Sequence, residues 1–365
     1  TAISLGWMAA VVVAGVMVFV PAAPSRPQKW QVPLLAVLLG LGLVVRGGAI
    51  IASPNPVIDV YSVLDQTPRA LLRGENPYRY QVVSPYGTER ARRFRVSGER
   101  VEENLEIYPP GVIVLATPWV AAGLDPRWLM VVCWLAAGVL VWWLALRNPD
   151  TAPVACHLAG AVLLMPSASF TTEQAWIDPC YAVLFLGAMA APLPVLAGAL
   201  MGLSLAAKQT AVCVLPAFLV IWRRRPRALL GLGVALLALF VPFAAWDAHE
   251  LVRDLVLGYA QRATRANAMS LPGLVLARTG VTLPALPLAI AALALGLIAA
   301  WRARNCTGTL VAGAGLTVCA FSILSKYAYL NWYEGAALLL LASVAWATGE
   351  DRARKDDVGG LRPCR

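Results

Sequence analysis

Asp59 is the residue best placed for chemistry, because it is an acid at the head of a long polar loop, residues 52–107, in a chain that is otherwise mostly apolar. A carboxylate in such a place can accept a proton, and lysine or arginine side chains can hold an anion. Other polar side chains that lie near the ends of apolar segments are the remaining candidates for a site. They are Glu75, Asn76, Tyr78, Tyr108, Gln174, Asp178, Lys208, Arg262, Arg265, Lys326 and Tyr329.

Several of these residues also have a plain structural interpretation. Asp59 could be an ordinary helix-flanking acid or could cap a loop helix that starts near Ser62. Asn76 and Tyr78 belong to an Asn-Pro-Tyr sequence, which is also a turn signal. These alternatives stay open at the level of sequence.

The basic candidates have structural alternatives as well. A lysine near membrane depth costs roughly 2.5–3.5 kcal/mol on insertion scales, so Lys208 should have a partner or ligand unless it extends to the lipid headgroups. Lys326 lies among tyrosines, which could equally form an interfacial aromatic belt. Arg262 and Arg265 could bind headgroup phosphates instead of a substrate.

The segments that carry these residues are apolar helices of membrane length. The chain is 59% hydrophobic with a mean hydropathy of +0.67, and a helix needs about 20 mostly apolar residues to cross a bilayer. Segments such as 131–146 and 229–243 have no polar face, unlike the surface helices of soluble proteins. The sequence predicts an all-α polytopic membrane protein, one domain over residues 1–365, with ten to twelve transmembrane helices including 3–20.

Composition excludes other classes of protein. The seven cysteines are scattered without CxxC spacing, and only two histidines occur, so neither a disulfide framework nor a histidine-ligated metal site is predicted. We expect no cofactor; whether a divalent cation assists is left open. The excess of Lys and Arg, 30 against 20 acids, lies in short loops between helices, which is typical of membrane topology and not of nucleic-acid binding.

The same basic loops orient the helices. The arginines between 223 and 227, Arg302 with Arg304, and the tail 348–365 are predicted to be cytoplasmic. The large loop 52–107 and a second loop, 246–270, are then extracytoplasmic, and the protein is expected in a plasma membrane with its polar site on the outer face.

Two regions complicate the count of crossings. Three apolar segments, 108–123, 128–146 and 152–170, would leave Gln174 on the wrong side, so one of them should fail to span. The segment 108–122 is the expected exception, because it is short and carries three prolines. Residues 182–222 are interpreted as three short helices with Lys208 and Gln209 at the outer end of a turn, although one long helix with a buried lysine is the alternative.

The order of polar motifs resembles the GT-C superfamily of membrane glycosyltransferases, most closely glycosyltransferase family 87, the polyprenyl-phosphate-mannose-dependent mannosyltransferases. The resemblance covers roughly residues 45–335, and each motif alone is weak. The chain departs from it in having Glu-Gln where Gly-Gln is common, and a single acid where some relatives have a pair. The motifs are an acid after an early helix (Asp59), Gly74-Glu75-Asn76-Pro77-Tyr78, Tyr108-Pro109-Pro110-Gly111, Glu173-Gln174, Lys208-Gln209 and a late segment from Lys326 to Glu334.

The resemblance implies an enzyme that moves a hexose, expected to be mannose, from a polyprenyl-phosphate sugar to a lipid-linked glycan or glycolipid acceptor, with inversion. It implies Asp59 as the general base and Lys208, Lys326, Arg262 and Arg265 as candidates for binding the donor phosphate. The other partners would be membrane lipids. Contacts to the sugar or the acceptor would come from Glu75, Asn76, Tyr78, Tyr108, Gln174, Asp178 and Tyr329.

Two rival interpretations belong to other classes. A lipid or solute transporter or flippase would usually show internal repeats with paired broken helices, and the large loop occurs only once. A non-catalytic membrane scaffold would keep the helices without the chemistry. Formation of a new glycolipid from a labelled donor distinguishes the enzyme from both.

Overall fold

The computed structural model describes residues 29–83, 85, 108–258, 260, 262–304 and 306–346. The predicted helix at 3–20, residues 86–107 of the large loop and the tail 348–365 lie outside these ranges. Within them the chain forms fourteen α-helices and no β-sheet, which confirms the all-α class. The helices are α1 Gln31–Ala52, α2 Asp59–Leu72, α3 Pro110–Ala121, α4 Trp128–Arg147, α5 Ala155–Leu163, α6 Ser167–Glu173, α7 Asp178–Ala190, α8 Pro194–Ala207, α9 Leu215–Trp222, α10 Pro226–Val252, α11 Leu271–Thr279, α12 Ala285–Arg302, α13 Thr307–Leu324 and α14 Leu330–Ala345.

Several of these helices are suited to a bilayer. In the described part of the chain, five are long and apolar enough to cross it, namely α1, α4, α10 with the π-helical turn that follows it, α12 and α13. The bent pair α5–α6 makes a sixth if it is one span, and α3, α7, α8, α14 and the segment Gln209–Trp222 are shorter apolar helices. The protein is a membrane protein; the number of ten to twelve crossings stays a prediction.

The bundle has two ends, which polar contacts define. At the end where α1 stops, called here the Asp59 end, the Arg127 side chain joins α1 to the start of α4 and the last residue of α6. Also at this end, Asp178 joins the starts of α7 and α14 to the residue that follows α8. At the opposite end, the Gln31 side chain donates to the carbonyl of Ala152, which lies just before α5.

Helix α3 does not cross the bundle, as the sequence predicted for this segment. It has 12 residues, which at 1.5 Å per residue give about 18 Å, well short of a hydrocarbon core of about 30 Å. It starts beside Tyr108, whose carbonyl accepts from Tyr78, and the chain after it reaches Arg127 at the Asp59 end. The amphipathic helix α2 packs along α3. Both helices therefore belong to the Asp59 end.

The region 182–222 forms the three short helices that were predicted. They are α7, α8 and a 3₁₀ turn, Gln209–Val214, that continues into α9, and Lys208 lies at the turn between the second and the third. The predicted outer loop 246–270 is partly helical in the structure. Asp247 has a non-helical backbone, with φ −164° and ψ 97°, which breaks α10 close to the predicted start of the loop. A short helical segment then continues to Val252 and into a π-helical turn that ends at Gly258. The location of this loop outside the membrane stays a prediction.

Helices α8 and α10 approach each other closely through glycines. A Cβ at Gly198 would lie 1.8 Å from the Ala228 carbonyl oxygen, and one at Gly231 would lie 2.1 Å from the Val195 carbonyl oxygen. Gly198 and Gly202 have the small-xxx-small spacing that allows backbone contact between helices in lipid. This contact fixes the helix that presents Lys208.

The bent span α5–α6 is stabilised by a buried arginine. Pro166 has no N–H to give to the Val162 carbonyl, and the two helices meet at 42°. Arg46, which is 1% exposed, donates to the carbonyls of Leu163 at 2.6 Å and Val162 at 3.4 Å. A cation inside an apolar helix is thereby used to satisfy backbone groups at the bend.

Candidate functional site

Asp59 is the first residue of α2, so the loop helix begins three residues before the Ser62 position expected from sequence. Its carboxylate accepts from the backbone N–H of Val60 at 2.8 Å and is half-buried. A negative charge at a helix N-terminus is favoured by about 0.3–1 kcal/mol because it faces the positive end of the helix dipole. A capping contribution and a chemical role are compatible at this position.

Helix α2 places Asp59 through its own pattern of apolar residues. Val60, Val63, Leu64 and Ala70 are buried against the rest of the protein, and the opposite side carries an exposed Asp65–Arg69 ion pair. The spacing is that of one helical face. Helix α2 therefore lies on the bundle with Asp59 at its leading edge.

Arg127 lies directly behind this segment and is fully buried. Its Nη2 donates to the Ser53 carbonyl at 2.8 Å, its Nη1 to the Glu173 carbonyl at 3.2 Å, and its guanidinium forms a two-pronged contact with Asp125. The guanidinium carbon also lies 5.0 Å from the centroid of the Tyr61 ring. Burial raises the pKa of the Tyr61 phenol, and Asp125 adds to that shift, so this ring stays neutral.

A second group, called here the Asp178 cluster, consists of Asp178, Lys208 and Asn331. Lys208 Nζ lies 2.7 Å from both carboxylate oxygens of Asp178, and the Asn331 amide donates to the same carboxylate. Asp178 is 1% and Lys208 5% exposed. The compensating partner expected for Lys208 is therefore the protein's own Asp178. Lys208 also lies 5.4 Å from the Trp332 ring centroid.

A third group, called here the Tyr327 cluster, consists of Arg262, Arg265, Lys326, Tyr327 and Tyr329. The guanidinium carbons of the two arginines lie 5.2 and 5.0 Å from the centroid of the Tyr327 ring. Both arginines are partly exposed. Two cations on one aromatic ring concentrate positive charge at the Asp59 end of the bundle.

Backbone contacts hold the Tyr327 cluster together. Lys326 is 5% exposed, and its Nζ donates to the carbonyls of Arg262 at 2.6 Å and Ala260 at 3.0 Å. The Arg265 N–H donates to the Lys326 carbonyl, and the Tyr329 hydroxyl lies 3.4 Å from Arg265 Nη1. Lys326 thus fixes the segment that carries both arginines.

The Asn-Pro-Tyr segment forms a turn that is buried against α10. The Asn76 side chain accepts from the Tyr78 N–H at 2.9 Å, which is an Asx-turn, and the Tyr78 hydroxyl donates to the Tyr108 carbonyl at 2.8 Å. The Tyr78 ring packs edge-on against Phe243. Asn76, Tyr78 and Tyr108 are brought together by these structural contacts, and their roles in sugar binding stay predictions.

Glu75 lies in the same segment but points to solvent. Its carboxylate accepts two hydrogen bonds from the Arg73 guanidinium, at 2.9 and 2.8 Å, and both side chains are about half exposed. Donation from Arg73 holds the pKa of Glu75 below its usual value. The carboxylate is therefore ionised at neutral pH.

Gln174 follows α6 at the Asp59 end, on the side that the crossing count required. The next residue, Ala175, has a left-handed backbone with φ 58°, which costs a non-glycine residue about 1–2 kcal/mol. Ala175 is fully buried, and the neighbouring Glu173 carbonyl is held by Arg127. The turn that presents Gln174 and leads to Asp178 is thus strained and anchored.

Three polar residues buried near this end, Arg127, Asn331 and Glu334, are not among the candidates predicted from the sequence. Arg127 was missed although Asp125-Pro126-Arg127 is a charged pair between two apolar helices, a rare pattern that could have indicated it. Asn331 and Glu334, which is 3% exposed, lie in the late Tyr-rich motif. They are the second and fifth residues of α14, and polar residues within the first turns of an otherwise apolar helix could have indicated them.

No group of three or more His, Cys, Asp or Glu side chains with metal-binding geometry occurs among the residues that the structure describes. Two of the acids at the Asp59 end have basic partners: Asp125 faces Arg127 and Asp178 faces Lys208. These pairs occupy the carboxylate oxygens that a hard cation would need.

Comparison with known proteins gives one match. No curated protein and no solved structure shows significant similarity to the chain. The model of glycosyltransferase family 87 matches residues 107–325, which includes Lys208, Arg262 and Arg265 and stops before Lys326. Asp59 lies upstream of the matched range. Because the match covers more than half of the 365 residues, the chain belongs to glycosyltransferase family 87 and is a membrane glycosyltransferase.

Proposed function

We propose that this enzyme transfers a hexose, mannose, from a polyprenyl-phosphate donor to a lipid-linked glycan or glycolipid acceptor, at the extracytoplasmic face of a plasma membrane and with inversion. Asp59 is the general base. Arg262 and Arg265 bind the donor phosphate, with Lys326 supporting them. Membership of the family favours a transferase over the transporter and scaffold alternatives.

The observation that carries the proposal is the position of Asp59. It is a half-buried carboxylate on the first turn of an amphipathic helix, at the same end of the bundle as the Tyr327 cluster. An amphipathic helix at a membrane surface is where an acceptor with a lipid anchor would present its hydroxyl group. The arginine-rich loops at the opposite end favour an extracytoplasmic location for Asp59.

The reaction requires one proton transfer and one displacement. The Asp59 carboxylate takes the proton of the acceptor hydroxyl while that oxygen attacks C1 of the sugar. The bond between C1 and the phosphate oxygen breaks, and polyprenyl phosphate leaves with the electron pair. The two guanidinium groups stabilise the charge that develops on the leaving phosphate. A single displacement inverts the configuration at C1.

The basic candidates differ in how well they fit this role. Lys208 already balances the charge of Asp178, and both groups are buried. Arg262 and Arg265 are partly exposed and present planar donors, which match phosphate oxygens in pairs. We therefore assign the phosphate to the two arginines and a structural role to Lys208.

The test is transfer by the purified protein in lipid nanodiscs, with radiolabelled polyprenyl-phosphate mannose and a membrane lipid extract as the source of acceptor. The Asp59→Asn variant should lose at least about 10²–10⁴-fold in rate, since a positioned base contributes that factor. Asp65→Asn, on the same helix and paired with Arg69, is the matched control and should retain activity. Full activity of Asp59→Asn would exclude the mechanism.

Two further measurements define the reaction. Donors that carry glucose or galactose in place of mannose, supplied at equal concentration, measure the choice of sugar, and equal rates with all three would contradict mannose specificity. The anomeric configuration of the product, determined by NMR, should be opposite to that of the donor. Retention would require a second nucleophile and exclude a single displacement.

A further inference from the structure

Arg127 combines three properties that bear on its role. Its side chain is fully buried, it contacts segments far apart in sequence, and all three of its guanidinium nitrogens donate hydrogen bonds. Asp125 balances its charge at 2.6 Å. The residue is therefore a satisfied ion pair at a junction of helices and not a cation awaiting a ligand.

One group of contacts determines where the chain leaves α1. Nη2 of Arg127 lies 2.8 Å from the Ser53 carbonyl and 3.4 Å from that of Ile50, the last turn of α1. Residues 54–58 then lead to Asp59, and Pro54 and Pro56 limit the conformations of this short linker. The start of α2 is consequently tied to the position of the guanidinium.

A second contact determines how α2 is rotated about its axis. The Tyr61 ring lies against the Arg127 guanidinium. Successive helix positions are about 100° apart, so residues 59 and 61 point to nearly opposite sides of α2. When Tyr61 is held against Arg127, Asp59 lies on the other flank of the buried face that Val60, Val63 and Leu64 form, where it is half-buried.

A third contact reaches the turn before α7. Nη1 of Arg127 donates to the Glu173 carbonyl, next to Gln174 and the left-handed Ala175. One side chain therefore joins the segment that carries the proposed base to the turn that carries a proposed substrate contact.

We propose that Arg127 is a positioning residue, whose guanidinium sets the place and direction of Asp59 relative to the Gln174 turn. This rests on the proposed role of Asp59 as the base. Lysine keeps the positive charge but cannot reach Asp125, Ser53 and Glu173 with a planar fork. The expected consequence of Arg127→Lys is a base that is present but displaced.

The first readout is kinetic. Arg127→Lys should lower kcat per folded molecule by about 100-fold, because a displacement of the Asp59 carboxylate by about 1 Å has an effect of that size. The KM for the donor should change less than about threefold. The matched control is Arg46→Lys, which removes another buried guanidinium bonded to backbone carbonyls, but at the α5–α6 bend. It should lower thermal stability and leave kcat within about threefold.

The second readout needs no activity. Hydrogen exchange in nanodiscs should show faster exchange of the amides of residues 53–62 in Arg127→Lys than in wild type, with α10 unchanged, and no such change in Arg46→Lys. If Asp59 is not the base, the Asp59→Asn variant transfers the sugar at the normal rate. Hydrogen exchange at residues 53–62 still shows in that case whether Arg127 orders the segment. The role of Asp59 and the role of Arg127 are therefore tested by separate measurements.

The proposal is overturned if Arg127→Lys loses stability with unaltered kcat and unaltered exchange at 53–62, or if Arg46→Lys loses kcat equally. Should Arg127→Lys not fold, Tyr61→Leu removes the ring and leaves the ion pair with Asp125 in place. We expect this variant to lose about tenfold in kcat, with faster exchange at 53–62. Unaltered kcat and exchange in Tyr61→Leu would equally overturn the proposal.

Discussion

The Asp178 cluster and the Tyr327 cluster lie at the same end of the bundle and use their cations differently. In the Asp178 cluster a buried carboxylate faces a buried ammonium at 2.7 Å. In the Tyr327 cluster two partly exposed guanidinium groups share one aromatic ring. Both contain basic residues that resemblance marks for phosphate binding. The comparison teaches that burial and pairing, and not residue type, separate a structural cation from one suited to a ligand.

The largest effect is expected when the buried pair is broken. Lys208→Met leaves the Asp178 carboxylate buried without its ammonium, which should destabilise the protein by about 3–5 kcal/mol. The midpoint of thermal unfolding in detergent, followed by tryptophan fluorescence, should fall by on the order of 10 °C.

A double variant sharpens this prediction. Asp178→Asn combined with Lys208→Met removes both charges and keeps an oxygen to accept from Asn331, so it should recover at least half of the lost stability. The KM for the donor in this variant should equal that of wild type. A raised KM with unaltered stability in Lys208→Met would instead make Lys208 a phosphate ligand.

The next largest effect concerns the Tyr327 cluster. Arg262→Gln and Arg265→Gln should each raise the KM for the polyprenyl-phosphate donor about tenfold, because a charge-assisted hydrogen bond contributes about 1.5–3 kcal/mol. The unfolding midpoint should change by less than about 2 °C, since exposed substitutions have small effects on stability.

Arg304→Gln is the control for these variants. Arg304 also lies against an aromatic ring, that of Trp301, but at the opposite end of the bundle. Its substitution should leave the donor KM unchanged. If all three variants raised KM alike, the effect would be general attraction of an anionic lipid to a positive surface.

A smaller effect is expected from the ring itself. Tyr327→Leu removes the surface against which both guanidinium groups lie, and a cation–π contact at an exposed site is worth about 0.5–1 kcal/mol. We expect the donor KM to rise about three- to fivefold. Tyr327→Phe retains the ring and should behave as wild type; a loss with phenylalanine equal to that with leucine would assign the effect to the hydroxyl group.

Sequence reasoning predicted the elements better than the partners. Helix α3 was expected not to cross because three prolines fall in a short apolar segment, and it has only 12 residues in the structure. The three helices between 178 and 222 follow from the prolines and the polar residues at 208 and 209. These features are local, so the sequence contains them fully.

The contacts between distant segments could not be predicted in the same way. The pair of Asp178 and Lys208 joins residues 30 positions apart, and that of Arg127 with Ser53 joins residues 74 apart. Such pairing depends on which helices become neighbours, which composition and periodicity do not specify. The sequence therefore indicated that Lys208 needed a partner but not which one.

The smallest effect is expected at Glu75, in contrast to both clusters. Its carboxylate accepts from Arg73, which lowers its pKa, and the side chain is half exposed. A lowered pKa means that the Arg73 contact is present above the ordinary pKa of the acid and is lost only as the pH falls through the lowered value. Glu75→Gln should therefore leave the rate of transfer within about twofold of wild type from pH 6 to 8, because an exposed ion pair contributes little.

A donor or acceptor KM raised tenfold at every pH would show instead that Glu75 holds a substrate hydroxyl, as family resemblance suggests. Arg73→Gln is the control that separates the two outcomes. It removes the same ion pair but leaves the Glu75 carboxylate able to accept a hydrogen bond from a sugar. A KM raised more by Glu75→Gln than by Arg73→Gln would therefore indicate a substrate contact.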